Sequence, residues 1–123
     1  MSRNTAPGNV IIIGGGPAGC AAAILMAERG LDVTMIERTA YDNVRIGETL
    51  PPQMAGLLSK LGVHAAFRAL KPLPFSHINS AWAQDELNEA DLILQPHGRG
   101  WHIRRVTFDK MLAEAAVSAG ARL

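Results

Sequence analysis

Three glycines near the start of this 123-residue chain have the spacing of a phosphate-binding turn. They are Gly14, Gly16 and Gly19, and the sequence that contains them reads Gly-Gly-Gly-Pro-Ala-Gly. In the G-x-G-x-x-G pattern the first glycine allows a tight turn, the second lets the backbone approach a pyrophosphate, and the third lets a helix pack closely on a strand. Pro17 suits the first turn of that helix, because its missing N–H would have no helical acceptor there. The helix would direct N–H groups and the positive end of its dipole at the phosphates.

The elements on either side of the glycines support this interpretation. Residues 9–13 are apolar and β-branched after Asn9, which predicts a strand buried on both faces of a parallel sheet. Apolar residues at helical spacing follow the glycines as far as Met26, Glu28 and Arg29 mark the polar end, and Gly30 would end the helix. Residues 32–36 then predict a second strand, which ends at Glu37. A strand, a glycine turn, a helix and a strand within about thirty residues predict a right-handed βαβ unit of a Rossmann-like α/β fold.

Glu37 completes the dinucleotide-binding pattern, because it stands at the end of the second strand. From there its carboxylate could accept hydrogen bonds from the ribose hydroxyls of a bound dinucleotide. An acid at this position disfavours NADP, whose 2′-phosphate it would repel, unless Arg38 compensates. The alternative is that the glycines form only a turn and that Glu37 is only a solvated strand end. The shared register of all the parts favours a dinucleotide site.

The glycine motif alone does not separate NAD from FAD. An NAD domain normally continues into its second βα unit after a loop of a few residues. Here about eighty residues separate Glu37 from the next candidate core strand, at Ala121. Such an excursion favours a longer cofactor, FAD, lying across the domain. An NAD-dependent dehydrogenase domain and a non-catalytic fragment stay open as alternatives.

The end of the chain indicates an incomplete domain. Thr107 would cap a last helix, and Ala121-Arg-Leu123 would begin a buried strand where the sequence stops. Because a sheet should not end with an unpaired edge, we expect an N-terminal fragment of a larger protein. We expect a single, truncated FAD-binding domain over 1–123, with a flexible leader (1–8), the βαβ unit (9–37), the excursion (38–106) and a helix with the start of the next strand (107–123).

Within the excursion, the sequence predicts helices first and strands later. Thr49 would cap a helix with an apolar stripe from Met54 to Leu61, and a second short helix would cover Val63–Leu70. Leu92–Gln95 and Trp101–Ile103 would pair as a hairpin around the loop between them.

Composition and charge exclude several classes of partner. The chain has 12 Lys and Arg against 11 Asp and Glu, a net charge of +1, and therefore no basic surface typical of nucleic-acid or membrane binding. Its single cysteine, Cys20, excludes an internal disulfide and fits a reducing compartment. No apolar run is long enough to span a bilayer, and residues 1–8 lack a signal pattern. We expect a soluble cytoplasmic protein without nucleic-acid or membrane partners.

Three segments resemble a known group of flavoproteins. Val10–Glu37 resembles the N-terminal FAD fingerprint of the para-hydroxybenzoate hydroxylase-like flavoproteins. Arg45–Pro52 resembles the Gly-Glu-(small)-(hydrophobic)-Pro segment of flavin-dependent tryptophan-halogenase-like proteins and their reductase relatives, and Trp101–Asp109 with Leu112 is similar to their Arg-x-x-Phe-Asp-x-x-Leu segment. The resemblance implies FAD as the cofactor and an FAD-dependent oxidoreductase, a monooxygenase or halogenase-like enzyme, as the parent protein. The fragment alone would be inactive.

The same resemblance implies a set of cofactor-binding residues: Gly14, Gly16, Pro17, Ala18, Gly19, Glu37, Arg38, Arg45, Gly47, Glu48 and Arg105. The glycine turn would line the pyrophosphate, Glu37 would hold the adenosine ribose, and Arg38 would lie by the adenine. Residues 45–48 would approach the middle of the cofactor, and Arg105 would neutralise a phosphate or hold the flavin side. Arg104 departs from the group, in which an acid is common before the motif arginine.

The substrate and the catalytic residues are not identified by these motifs. The resemblance implies an unknown small-molecule or protein-bound substrate and NAD(P)H or a flavin reductase as the source of electrons. Two stretches, Ser80–Trp82 and Pro96–Trp101, also resemble halogenase-like flavoproteins that help mature quinone-cofactor oxidases, so a maturation flavoprotein is a further alternative.

We expect the remaining candidate functional residues to have structural roles. Cys20 could have a lowered thiol pKa in the first turn of its helix, but we expect it to pack against the sheet. His97 and His102 lack the cysteines or carboxylates that would complete a metal site, so we predict none. Trp82 and Trp101 could border the flavin or a substrate, but as strand aromatics we expect both to pack in the interior.

Overall fold

The computed structural model describes residues 8–82, 86–94, 96 and 98–123. The described chain divides into two compact units: the first contains the residues up to Arg45 together with Arg105–Leu123, and the second is Ile46–Arg104. The single-domain organisation expected from the sequence stays a prediction. In chain order the elements are β1 (Asn9–Ile13), α1 (Pro17–Ala27), β2 (Asp32–Ile36), β3 (Thr49–Leu50), α2 (Met54–Lys60), α3 (His64–Ala69), β4 (Leu73–Phe75), β5 (His77–Ser80), β6 (Asn88–Asp91), β7 (Gly100–His102) and α4 (Arg105–Ser118).

The first unit contains the βαβ arrangement that the glycine motif predicts. Strands β1 and β2 are parallel and pair in register from Asn9 with Asp32 to Ile13 with Ile36. Arg122 forms a parallel bridge with Thr34, so the strand expected after α4 begins beside β2. The α/β class with a parallel sheet is therefore confirmed.

The core of the first unit lies between the sheet and two helices. Helix α1 packs against β2 and α4, and its Cys20 and Ala23 are fully buried. Strand β1 differs from the prediction, because Ile11 and Ile13 are 69% and 86% exposed. No described residue covers that face of β1, so this strand is not buried on both faces.

The second unit is built on antiparallel pairs. Strand β7 lies between β3 and β4 in a three-stranded sheet, and β5 pairs with β6 in a separate two-stranded sheet. The rings of Phe67 and Trp101 are perpendicular, with 5.6 Å between the ring centroids. This aromatic contact joins α3 to β7 in the core of the unit.

Three local predictions are wrong. Thr49 does not cap a helix; it lies in β3 and pairs with His102, and α2 begins only at Met54, after two prolines. The strand at Trp101 forms, but it pairs with β3 and β4 rather than with Leu92–Gln95, of which Gln95 lies outside the described residues. Thr107 lies inside α4, which begins at Arg105.

Candidate dinucleotide-binding site

The three motif glycines have three different surroundings. Gly14 has a φ angle of +108°, which favours glycine, and its N–H donates to the carbonyl of Ile36 over 2.8 Å. A Cβ atom on Gly19 would overlap the carbonyl oxygen of Gly14, so only glycine lets α1 approach the turn this closely. A Cβ atom on Gly16 would meet no atom within 4 Å, so its backbone borders open space.

The Glu37 carboxylate is held in place by four hydrogen bonds. Its Oε2 accepts the N–H of Gly15 over 2.8 Å. Its Oε1 accepts the N–H of Thr39 over 3.0 Å, the hydroxyl of Thr39 over 2.7 Å and Nη2 of Arg45 over 3.0 Å. Chiefly because of the Thr39 hydroxyl, and next the Gly15 N–H, the pKa of Glu37 falls from 4.5 to about 2. The side chain is therefore ionised at neutral pH although it is only 6% exposed.

A second carboxylate continues this charged cluster. Asp109 on α4 is 1% exposed and accepts two hydrogen bonds of 2.9 Å from Nε and Nη2 of Arg105. Its Oδ2 also lies 3.6 Å from Nη1 of Arg45. The hydrogen bonds to Asp109 raise the pKa of Arg105. Glu37, Arg45, Asp109 and Arg105 thus alternate in charge, and each carboxylate has a cation beside it.

A groove of about 530 Å³ opens beside the glycine turn and the Glu37 carboxylate. Its lining residues are Ile13, Gly14, Gly16, Ile36, Glu37, Arg38 and Arg45. Five of the residues named from the sequence therefore meet in one place. Pro17, Ala18 and Gly19 form the first turn of α1, where backbone N–H groups have no intrahelical acceptor.

Three other residues named from the sequence have different positions. Gly47 and Glu48 belong to the second unit, where the backbone carbonyl of Glu48 accepts the N–H of Ile103 over 2.7 Å. Arg105 belongs to the first unit, but it does not line the groove and is bound to Asp109.

Sequence reasoning missed a buried cluster directly beneath the glycine turn. Tyr41 donates its hydroxyl to the carbonyl of Gly15 over 2.9 Å, and the thiol of Cys20 donates to the same oxygen over 3.1 Å. Burial raises the pKa of Cys20 to about 11 and that of Tyr41 to about 12, so both groups keep their protons. The packing role predicted for Cys20 is confirmed. The signal for the cluster was Gly15 itself, an extra glycine that the motif does not require.

The other candidate residues have structural surroundings. Trp101 is 9% exposed, as predicted, whereas Trp82 is 83% exposed because it lies beyond the end of β5, so its predicted packing is wrong. The ring of His102 stacks at a tilt on Phe75, with 4.8 Å between the centroids. His97 lies outside the described residues. No group of three or more His, Cys, Asp or Glu that could hold a metal occurs among the residues the structure describes.

No helix in the described part of the chain combines the length and the apolar character that crossing a membrane requires.

The chain is similar in sequence to curated flavoenzymes. The chain is 29% identical over 116 residues to the flavin-dependent halogenase armH5 of Armillaria mellea, a match that covers 93% of this chain and 22% of the relative. It is 35% identical over 122 residues to digeranylgeranylglycerophospholipid reductase 2 of Methanopyrus kandleri, covering 94% of this chain and 27% of the relative. The chain therefore spans about a quarter of the length of these relatives.

Solved structures have the same fold. The flavin-dependent halogenase CmlS superposes with a TM-score of 0.83 at 31% identity, over 97% of this chain and 22% of that one. The myxobacterial chondrochloren halogenase CndH superposes with a TM-score of 0.81 at 28% identity, over 94% of this chain and 28% of that one. The FAD-binding domain family matches residues 8–123. The chain belongs to this family, and its cofactor is FAD.

Proposed function

We propose that the groove in the first unit binds the ADP half of FAD, and that the protein containing this chain is an FAD-dependent oxidoreductase, a monooxygenase or halogenase-like enzyme. The main support for this position of the cofactor is the groove itself. The unobstructed backbone of Gly16 and the ionised side chain of Glu37 both line it. The flavin-dependent halogenases among the relatives support the type of reaction.

The diphosphate would lie against the glycine turn. Gly16 leaves the space above its Cα open, and the first turn of α1 offers backbone N–H groups at Ala18 and Gly19. Pro17 does not weaken the helix at this position, because the N–H group that proline lacks would have no helical acceptor there. A helix N-terminus stabilises an anion through these N–H groups and through the positive end of its dipole. The turn therefore suits a diphosphate.

The adenosine ribose would bind to Glu37 through one particular oxygen. Oε1 already accepts three hydrogen bonds, whereas Oε2 accepts one, from Gly15. Because each carboxylate oxygen has two lone pairs, Oε2 has room for a ribose hydroxyl. The lowered pKa keeps this acceptor charged, and hydrogen bonds to charged groups are stronger than neutral ones. Arg38, which also lines the groove, would lie by the adenine.

The remaining residues named from the sequence would act further along the cofactor. Arg45 is 29% exposed and lines the groove, so its guanidinium could face the middle of FAD while it stays paired with Glu37. Gly47 and Glu48 follow it along the chain and would approach the same part of the cofactor. Arg105 would neutralise a phosphate or hold the flavin side from its place beside Asp109.

When bound, FAD supplies the redox chemistry, and the protein supplies binding and orientation. The electrons would come from NAD(P)H or from a flavin reductase, and the substrate would be a small molecule or a group carried by a protein. The reductase from Methanopyrus kandleri favours a second candidate, a flavin-dependent reductase. Product analysis with and without halide separates a halogenase from a reductase, because only the halogenase requires halide for product formation.

The test of the site is Gly16→Val in the protein that contains this chain. Valine would place methyl groups where the diphosphate would lie, so we expect the purified variant to be colourless, with at least a hundredfold weaker FAD binding. The matched control is Gly56→Val in α2, where a Cβ atom also meets nothing within 4 Å. That variant should keep the flavin absorption spectrum and one FAD per chain. Stoichiometric FAD in Gly16→Val would refute the proposed site.

A further inference from the structure

The peptide group between Gly15 and Gly16 is held by partners on its buried side. The carbonyl oxygen of Gly15 accepts two hydrogen bonds, from the Tyr41 hydroxyl over 2.9 Å and from the Cys20 thiol over 3.1 Å. A carbonyl oxygen has two lone pairs, so both are used. Cys20 is fully buried and Tyr41 is 8% exposed, so the oxygen points into the interior of the first unit.

The direction of this carbonyl determines the direction of the next N–H group. In a planar trans peptide the C=O of one residue and the N–H of the following residue point to opposite sides. Because the Gly15 oxygen points inward, the N–H of Gly16 must point outward. Gly16 lines the groove, and a Cβ atom there would meet no other atom. The outward side is therefore the space proposed for the diphosphate.

The backbone at Tyr41 is distorted in a way that fits this contact. Tyr41 has a φ angle of +58°, a left-handed conformation that a bulky side chain rarely adopts. Such conformations persist where the surrounding structure compensates for the strain, and they occur often at binding sites. Here the conformation accompanies a ring that is buried beneath the glycine turn. The fit is close, because a Cβ atom on Gly15 would overlap the Tyr41 hydroxyl.

We propose that Tyr41 is a positioning residue for the cofactor: its hydroxyl holds the Gly15–Gly16 peptide so that the Gly16 N–H is presented to the diphosphate of FAD. This role rests on the proposed binding of FAD in the groove. Tyr41 itself does not touch the cofactor; it acts through the peptide. Cys20 supports the same oxygen more weakly, because a thiol is a weaker donor than a phenol hydroxyl.

The test compares ligands with and without a diphosphate. Tyr41→Phe removes one oxygen atom and keeps the ring, and ADP and adenosine are the probes, titrated by calorimetry into the protein freed of FAD. We expect the Kd for ADP to rise about fivefold, the amount that corresponds to one hydrogen bond of ordinary strength, and the Kd for adenosine to change less than twofold. Cys20→Ala should raise the Kd for ADP about twofold.

The control is Ser118→Ala, which removes another hydroxyl of the first unit that donates to a backbone carbonyl, that of Glu114 over 2.9 Å. It should leave the binding of both ligands unchanged. A scan of thermal unfolding checks that each variant is folded; if Tyr41→Phe does not fold, the twofold effect expected for Cys20→Ala decides.

Two results would overturn the role of Tyr41. One is an unchanged Kd for ADP in Tyr41→Phe, or in Cys20→Ala if that variant must decide. The other is an equal loss of ADP and adenosine binding, which would mean that Tyr41 supports the whole groove rather than the diphosphate. Gly16→Val separates this proposal from the proposed function. If Gly16→Val abolishes FAD binding and Tyr41→Phe has no effect, only the positioning role fails.

Discussion

The two units of the chain differ in whether their charged side chains are buried and paired. In the first unit, Glu37 and Asp109 are almost completely buried, and each is paired with an arginine. In the second unit, exposed cations line a groove of about 510 Å³ together with prolines and Trp101, and the structure records no ion pair between these cations and another described residue. The lining residues are Arg68, Lys71, Pro72, Pro74, Arg99 and Trp101.

The difference in burial indicates which charged side chains are held in one position by their partners. A buried carboxylate must be paired, because removing an unpaired charge from water costs several kcal/mol. The same pairing limits the rotation of the Glu37 and Arg45 side chains, which line the groove of the first unit. Exposed cations need no partner because water solvates them, and they stay free to rotate. Charge density alone is therefore a weaker sign of a site than buried, fully paired charge.

Removal of a buried carboxylate should destabilise the protein most. Asp109→Ala leaves the guanidinium groups of Arg105 and Arg45 without their shared anion, so we expect unfolding to require about 3 kcal/mol less free energy, as measured by urea denaturation. This loss is smaller than for a completely buried pair because both arginines are partly exposed.

The control for this variant is Asp91→Ala in the second unit. Asp91 and its partner His77 are exposed and lie 3.8 Å apart, and Asp91 also accepts the exposed N–H of Ile93 over 2.9 Å, so this variant should lose only about 1 kcal/mol. Equal losses for the two aspartates would show that the comparison between the units is wrong.

A smaller effect is expected from adding one methyl group at a glycine. Gly19→Ala would push α1 away from the Gly14 carbonyl and should destabilise the protein by about 1–3 kcal/mol. Gly56→Ala, where a Cβ atom meets open space inside α2, should stabilise it by about 0.5–1 kcal/mol. Thermal unfolding of both variants measures whether each substitution lowers or raises the stability of the protein. A stable Gly19→Ala variant with normal FAD binding would contradict the close packing.

The most specific effect concerns the titration of Glu37. The pKa of Glu37 is lowered from 4.5 to about 2, so the unfolded chain binds a proton more readily than the folded chain. This contribution to stability is present above pH 4.5 and is lost as the pH falls towards 2. Glu37→Gln should therefore lose most stability relative to the wild type near neutral pH, and the two free energies of unfolding should converge in acid. A constant difference from pH 6 to pH 2 would contradict the lowered pKa.

Local patterns in the sequence were sufficient for the parts of the site that lie close together along the chain. The strand before the glycines, the helix from Pro17 and the strand ending at Glu37 formed as expected, because each depends on neighbouring residues and on one short crossover. The second unit was harder to predict, because its strands have only two to four residues. Strands β3 and β4 pair with β7 through contacts between residues that are distant along the chain. Strands this short have no periodic pattern from which their pairing partner could be predicted.

Residue type and spacing are sufficient to predict a glycine turn, a helix N-terminus and an acidic strand end in the order that a dinucleotide requires. Only the tertiary structure decided that Tyr41 lies beneath Gly15 and that Asp109 shares two arginines. These contacts join residues that are distant along the chain, and their energies depend on burial. Burial is a property of the folded chain, and no single segment of the sequence specifies it.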